Sequence, residues 1–260
     1  MTRWSEFVEH TSLKDTWDIL WLDLRGHGES FYRGRLGMKV WCRDLIEILD
    51  TEGYGEAVIV GHSLGAQVAL NFVSRYPDRV SGLVLIDPVF HQALTGTMRM
   101  LSRLRPLLWF MFAVVWLLNR LGLRRRQIPN RDLRALDEDT RKRLLDVGKL
   151  EEMVDQYGSP WPDLQHLPTG NFIQELIVTM SPVPPVAGIK VPVLALLAAA
   201  PTYTDPATTK QIIGRMSRGT AVDVHAFHWP LTEKPQETRE AIERWCAQQF
   251  ASEPGQNPSA

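Results

Sequence analysis

The 260-residue sequence has few cysteines and almost no excess of charge of either sign. Its two cysteines, Cys42 and Cys246, lie far apart, so they form neither a disulfide framework nor a metal site. We expect two reduced thiols in the core and no bound metal. The formal net charge of −1 disfavours nucleic acid as a partner.

Long apolar segments are also missing. The first residues lack the apolar region of a signal peptide, and no apolar run reaches the roughly eighteen residues that span a bilayer. We therefore expect a cytoplasmic protein. With 44% hydrophobic and 23% charged residues, the composition is ordinary for a soluble globular protein. The length suits one α/β domain, with or without an insertion.

Short apolar runs alternate with amphipathic helical patterns along most of the chain. Strands are predicted at 18–24, 57–61, 80–86, 191–198 and 221–227, and helices at 38–49, 66–76, 208–216 and 235–250. The alternation predicts an α/β fold, with a mostly parallel sheet flanked by helices. Residues 89–188 break this rhythm, because they are mostly helical without a convincing strand. We predict a core of 1–88 and 189–250, a helical cap of 89–188 and a disordered tail of 251–260.

The segment Gly61-His62-Ser63-Leu64-Gly65 stands between a clear strand and a clear helix. A Gly-x-Ser-x-Gly pattern in this setting is typical of a nucleophile elbow, a sharp turn that exposes a serine hydroxyl at the carboxyl end of a strand. The serine should have a strained backbone with positive φ. A side chain at Gly61 or Gly65 should collide with the neighbouring strand or helix. The alternative is an ordinary strand-to-helix turn.

Further motifs surround this turn in a fixed order. They are Asp23-Leu24-Arg25-Gly26-His27-Gly28-Glu29-Ser30, Leu85-Ile86-Asp87-Pro88, Ile189-Lys190-Val191-Pro192-Val193-Leu194, and His228-Trp229-Pro230-Leu231 with Glu233 and Pro235. In this order and spacing, from about Trp4 to Phe250, the sequence resembles the α/β-hydrolase family, with a helical cap inserted after the strand that ends at Asp87. The resemblance implies hydrolysis by a Ser-His-acid triad that needs no cofactor.

The resemblance implies a role for two residues directly. A serine hydroxyl is a poor nucleophile at neutral pH, so Ser63 needs a base within hydrogen-bonding reach. His228 stands where the family has this base, just after the last strand. His27 and His62 lie inside motifs, where we interpret them as packing residues.

The acid of the triad has two candidates. In related hydrolases it usually follows the strand that corresponds to 191–198, which favours Asp205, although the glycine usual in that turn is absent. Asp87 is the alternative, since some relatives place the acid at the end of the preceding strand. Asp205 also stands before Pro206, where an aspartate is well suited to cap a helix.

An oxyanion hole normally uses two backbone amides. The N–H of Leu64, at the positive end of its helix, is expected to be one of them. In the family the other comes from a loop marked by His-Gly, and no such motif precedes residue 18. Trp4 aligns with a tryptophan that follows this loop. We therefore expect an N-terminally shortened chain that lacks an inner strand between 18–24 and 57–61.

The predicted cap contains an unusual run, in which twelve consecutive residues from Leu107 to Leu118 are apolar. Seven arginines and no acidic residue lie between Arg99 and Arg126. Two interpretations stay open: a cap helix packed between the core and its neighbours, or a lid whose segment 99–126 also contacts an anionic membrane surface. Either one predicts an apolar pocket.

These features predict a serine hydrolase that cleaves a carboxylic ester through an acyl-enzyme on Ser63, the substrate being a small molecule with an apolar acyl or alcohol part. Amide, thioester, lactone or carbon–carbon bond hydrolysis stays open, as does perhydrolase activity, because one triad serves them all. The alternative from another class is a catalytically impaired remnant of the fold that binds an apolar ligand or a membrane surface.

Overall fold

The computed structural model describes residues 2–129, 132–144, 164–199 and 203–250. Its four strands are β1 (Ala57–His62), β2 (Val80–Ile86), β3 (Val193–Ala198) and β4 (Gly219–Val224). They form one sheet in the order β1-β2-β3-β4, and every neighbouring pair is parallel. This confirms the predicted α/β fold with a parallel sheet.

The described α-helices occupy the segments between and around these strands. They are α1 (Ser5–His10), α2 (Met38–Thr51), α3 (Leu64–Arg75), α4 (Gly96–Arg103), α5 (Arg105–Arg120), α6 (Leu133–Leu144), α7 (Thr169–Thr179), α8 (Pro206–Ile213), α9 (Pro230–Glu233) and α10 (Pro235–Phe250). Short 3₁₀ segments lie at Thr2–Trp4, Ser12–Asp15, Pro77–Arg79, His91–Ala93 and Val186–Gly188.

The sheet is covered on both faces, and alternate side chains of its central strands point to opposite sides. In β2, Leu83 and Leu85 belong to the apolar cluster that includes residues of α2, α3 and α8. Val84 and Ile86 belong to the cluster formed with α1 and α10. Because both faces are buried, the central strands have the nearly continuous apolar sequences by which they were predicted.

The predicted strand at 18–24 is wrong. None of these residues is in the sheet, and the side chains of Leu20 and Trp21 are each 47% exposed. A short apolar run suits a strand, but it becomes one only where a neighbouring edge accepts and donates the backbone hydrogen bonds. Within the described residues, β1 pairs only with β2.

The described residues between β2 and β3 form helices α4 to α7 and contain no strand. Leu108, Phe112 and Val115 of α5 pack with Ile173 and Ile177 of α7 in a separate apolar cluster. The division into core and cap stays a prediction, and the tail proposed for 251–260 lies outside the described residues.

No single described helix has both the length and the apolar character that crossing a membrane requires. The pair α4 and α5 reaches that length and composition only together, with a bend of 72° between them.

Candidate active site

Ser63 lies in the sharp turn between β1 and α3. Its φ is 51° and its ψ is −110°, and its N–H donates to the carbonyl of Ile86, 3.0 Å away. Among the described residues other than glycine, only Ser63 and Asp87 have positive φ. Such conformations are costly for residues with a side chain, and they are concentrated where a site needs them. The predicted strained turn is therefore present.

The two glycines of the motif differ in their surroundings. A Cβ on Gly61 would lie 2.4 Å from the carbonyl carbon and oxygen of Gly65, an impossible contact with backbone. A Cβ on Gly65 would have no heavy atom within 4 Å. The predicted collision is confirmed for Gly61 and wrong for Gly65, because at the start of α3 the Cβ of residue 65 points into open space.

His228 bridges Ser63 and Asp87. Its Nε2 lies 3.0 Å from Oγ of Ser63, and its Nδ1 lies 2.5 Å from Oδ2 of Asp87. A carboxylate only accepts, so we assign the proton to Nδ1, which leaves Nε2 free to accept from the serine hydroxyl. Asp87 and His228 are both buried, and the second oxygen of Asp87 accepts from the N–H of Ala198 at 3.2 Å.

The predicted pairing of Asp205 with His228 is corrected by this geometry. Oδ2 of Asp205 accepts from the backbone N–H of Thr208 at 2.8 Å and from its hydroxyl at 2.5 Å, which caps α8. These two hydrogen bonds lower the pKa of Asp205. The Asp205 carboxylate thus accepts hydrogen bonds at the N-terminus of α8. The carboxylate beside His228 is that of Asp87, the alternative candidate.

The three residues come together because their strands are parallel. Ser63 follows β1 directly, Asp87 follows β2 directly, and His228 comes four positions after the end of β4. Carboxyl ends of parallel strands meet at one edge of a sheet, which is where α/β proteins place their sites. The arrangement can transfer a proton from the Ser63 hydroxyl to the imidazole and stabilise the charge that results.

His62 has a role that the sequence analysis missed. Its Nε2 lies 2.7 Å from the carbonyl oxygen of His228 and donates to it. Burial, together with the nearby His228, lowers the pKa of His62 to about 3, so its ring is neutral at pH 7. The contact links positions 166 apart in the chain, and no local pattern indicates it.

Glu233 fixes the turn that carries His228. Its carboxylate accepts from the N–H of Phe227 at 2.9 Å and from the N–H of Trp229 at 3.1 Å. Burial raises the pKa of Glu233, although these N–H groups act in the opposite direction. The ring of Tyr203 also meets the ring of His228 edge to face, with 4.8 Å between the centroids. His228 is therefore held through its backbone as well as its ring.

The backbone N–H of Leu64 is the first amide of α3. The first amides of a helix have no acceptor within the helix, and the helix dipole favours negative charge beside them. This position suits the predicted role of Leu64 at an oxyanion. Among the described residues, no group of three or more His, Cys, Asp or Glu side chains is placed to hold a metal ion.

Curated proteins similar to this chain include enzymes of ester hydrolysis. Lipase LipV of Mycobacterium tuberculosis is 41% identical over 66 residues, which make up 25% of this chain and 25% of that protein. A putative esterase/lipase of Haemophilus influenzae is 31% identical over 81 residues, or 31% of this chain and 26% of that protein. The matched segment thus spans about a quarter of the length of these curated relatives.

Solved structures resemble the chain over most of its length. A thermophilic esterase from Thermogutta terrifontis has a TM-score of 0.67 and 21% identity, covering 95% of this chain and 85% of that one. A putative non-heme bromoperoxidase from Mycobacterium tuberculosis has a TM-score of 0.60 and 21% identity, covering 87% of this chain and 80% of that one. These likenesses show the fold.

A sequence model of the alpha/beta hydrolase fold matches residues 3–235. This range includes β1 to β4 and all three residues of the hydrogen-bonded chain. The match confirms the resemblance seen in the sequence. The chain belongs to the alpha/beta hydrolase fold family and is similar to esterases and lipases within it.

Proposed function

We propose that the chain is a serine hydrolase that cleaves carboxylic esters through an acyl-enzyme on Ser63. The observation that carries this proposal is the continuous hydrogen-bonded chain from Oγ of Ser63 through His228 to Asp87. A serine on a strained turn, a buried imidazole and a buried carboxylate are the parts that acyl transfer requires. In this scheme no cofactor takes part.

In the first half of the reaction, Oγ of Ser63 attacks the acyl carbon while Nε2 of His228 takes the hydroxyl proton. The charge on the imidazolium is stabilised by Asp87, and the N–H of Leu64 donates to the oxyanion. His228 then gives its proton to the leaving alcohol. In the second half, His228 activates a water molecule that attacks the acyl-enzyme, and the proton returns to Ser63 as the acid leaves.

An apolar substrate part is supported by the residues that adjoin the site. Val89, two positions after Asp87, belongs to an apolar cluster with Leu94, Ile177 and Met180. This cluster lies between the end of β2 and helices α5 and α7. The described residues that follow Asp87 are therefore apolar rather than charged, which favours a carboxylic ester whose acyl or alcohol part is apolar. Two of the similar curated proteins are also named as a lipase and a putative esterase/lipase.

A fluorophosphonate probe tests the proposal, because it reacts only with an activated serine. We expect the protein to be labelled and the Ser63→Ala variant to remain unlabelled. A series of p-nitrophenyl esters of increasing chain length should then show turnover that rises from acetate to longer acyl groups. The turnover of matched amide, thioester and lactone substrates should then be compared with that of the esters, because the same catalytic groups can cleave each of these bonds.

A folded sample that is neither labelled nor active would sink the proposal and favour the non-catalytic alternative, a ligand-binding remnant of the fold. Circular dichroism and a cooperative thermal transition establish that the sample is folded. The variant Ser63→Ala serves as the reference for any slow hydrolysis that does not involve the serine.

A further inference from the structure

Helix α5 is apolar on two opposite faces, and the described residues cover only one of them. Leu108, Phe112 and Val115 face α7, and a Cβ added to Gly170 of α7 would lie 3.7 Å from the side chains of both Phe112 and Val115. The opposite face follows the helical spacing of three and four positions. It consists of Leu107, Phe110, Met111, Val114, Leu117, Leu118 and Leu121, and all of these side chains are exposed. We call these seven residues the outer face of α5.

The exposure of the outer face is large enough to need an explanation. Phe110 is 65% exposed and Leu121 is 68% exposed. Single exposed apolar residues are common on proteins, but a contiguous apolar patch marks an interaction site. Trp109 and Trp116 border the outer face and are also exposed. Tryptophan is enriched where an apolar phase meets water, because one edge of its ring is polar.

The segment that carries the outer face has charged residues of a single sign. No acidic residue occurs between Arg99 and Arg126, a segment that contains seven arginines. Arg120 lies over the ring of Trp116, 5.1 Å from its centroid. Arg33, from the loop before α2, adds to this cluster, since its guanidinium donates to the carbonyl of Arg125 at 2.7 Å. Arginines thus precede and follow the apolar residues along the segment.

We propose that the outer face of α5 binds the surface of a bilayer that contains anionic lipids. The helix has 16 residues, which gives a length of about 24 Å, shorter than the roughly 30 Å of a bilayer core. It therefore lies in the interfacial plane, with its apolar side chains among the acyl chains and its arginines at the lipid phosphates. The other face stays packed on α7 throughout.

Charge decides between a bilayer and a second copy of the chain. In a twofold dimer built on the outer face, the arginine clusters of both copies would approach one another, and like charges across an interface are unfavourable. Anionic headgroups neutralise the same arginines. The lipid surface is therefore the occupant that fits both the apolar face and the charge around it.

Co-sedimentation with vesicles tests this proposal with the full chain. We expect binding to vesicles of phosphatidylcholine with phosphatidylserine, weaker binding to pure phosphatidylcholine, and loss of binding as salt is added. Replacing Leu117 by Asp should weaken binding at least about tenfold, since a charge is then forced into the apolar phase. Replacing Arg120 and Arg124 together by Gln should weaken it by a similar factor only on the anionic vesicles.

Leu20→Asp is the matched control, because Leu20 is 47% exposed and Leu117 is 53% exposed, and neither side chain is part of the buried core. The control should bind as the natural sequence does. Ser63→Ala should also bind normally, so a failure of the hydrolase proposal leaves this result unaffected. Circular dichroism establishes that every variant is folded.

Two results would overturn the proposal. The first is equal binding of Leu117→Asp and the natural sequence to anionic vesicles, or no binding by either. The second is a dimer in sedimentation velocity that Leu117→Asp abolishes, because this result would assign the outer face to a second copy.

Discussion

Nδ1 of His228 lies 2.5 Å from Oδ2 of Asp87, although the two residues are 141 positions apart. The carboxylate is itself held by the N–H of Ala198 at the end of β3. The orientation of the Asp87 carboxylate is therefore fixed by the sheet, while the position of His228 is fixed by the turn after β4. An imidazole between a buried carboxylate and a serine hydroxyl is kept in the one tautomer that accepts the serine proton.

The first prediction separates the two candidate acids. Asp87→Asn should lower kcat by roughly 10³-fold to 10⁴-fold with little change in fold, because an amide can donate to His228 and stabilise the wrong tautomer. Steady-state kinetics on a p-nitrophenyl ester measure this loss. Residual labelling of Ser63 by a fluorophosphonate should be slowed in parallel.

Asp205→Ala is the control for this experiment. Its kcat should stay within about twofold of that of the natural sequence, while the lost cap of α8 should lower the free energy of unfolding. Urea unfolding measures the second effect. A large loss of kcat in Asp205→Ala and none in Asp87→Asn would restore the pairing expected from the sequence.

The second prediction concerns His62, whose pKa is about 3 in the folded protein against an ordinary value near 6.5. As pH falls below about 6.5, His62 is protonated in the unfolded chain but stays neutral in the folded protein, so the free energy of unfolding decreases. The loss continues until the pH reaches the folded pKa. Urea unfolding at pH 7 and pH 5 should show a larger decrease for the natural sequence than for His62→Phe.

The same variant tests the positioning of His228. Without the donor to the His228 carbonyl, the imidazole is held less firmly, so kcat should fall by about tenfold while KM is unchanged. His62→Gln, which retains an N–H donor, should recover part of the loss. Identical pH dependence in all three proteins, with no loss of kcat, would reduce His62 to a packing residue.

The third prediction concerns the ion pair between His27 and Glu175 of α7, whose nitrogen and oxygen are 3.2 Å apart. Burial lowers the pKa of His27, but the Glu175 carboxylate and the hydrogen bonds to the backbone at Leu24 and Arg25 together outweigh it, and the pKa is raised overall. The stabilisation is complete below the unfolded pKa of about 6.5 and is lost as pH rises through the folded pKa. Between pH 6 and pH 9, the natural sequence should therefore lose more unfolding free energy than His27→Gln.

Glu175→Gln should flatten this pH dependence in the same way, because it removes the charge that raises the pKa. If His27→Gln and the natural sequence keep a constant difference in unfolding free energy across this range, the two groups are not coupled. Such a result would mean that the loop at 25–36 is held on α7 by other hydrogen bonds. One of these is donated by the N–H of Leu36 to the side-chain oxygen of Gln174.

Local patterns predicted most of the sheet and part of the site. The central strands β2 and β3 are buried on both faces and are therefore apolar in sequence. Ser63 was indicated by the glycines around it, and His228 by its position after the last strand. In each of these cases the residues that indicate the strand or the site residue lie within a few positions of it in the sequence.

The predictions that failed depend on contacts between distant residues. Segment 18–24 contains a short apolar run typical of a strand, but whether a sheet edge lies beside it is decided by the rest of the fold. Asp87 and Asp205 both follow a strand of the same sheet, and only the three-dimensional structure decides which carboxylate reaches His228. The contact of His62 with the same residue is equally invisible in the sequence, because it depends on β1 and the turn after β4 lying side by side.

The last prediction compares the two glycines of the elbow. In Gly61→Ala the new methyl would lie 2.4 Å from the backbone of Gly65, so β1 and α3 must move apart, which should cost about 1–3 kcal/mol of stability and displace Ser63. In Gly65→Ala the methyl meets no atom within 4 Å, and alanine is favoured over glycine in a helix by up to about 1 kcal/mol. Urea unfolding and fluorophosphonate labelling measure both effects.

Gly65→Ala should be at least as stable as the natural sequence and should still be labelled at Ser63. Gly61→Ala should be less stable than the natural sequence and should no longer be labelled. If the two variants have equal stability and equal labelling, the close approach of β1 to the first turn of α3 does not determine which residue fits at position 61.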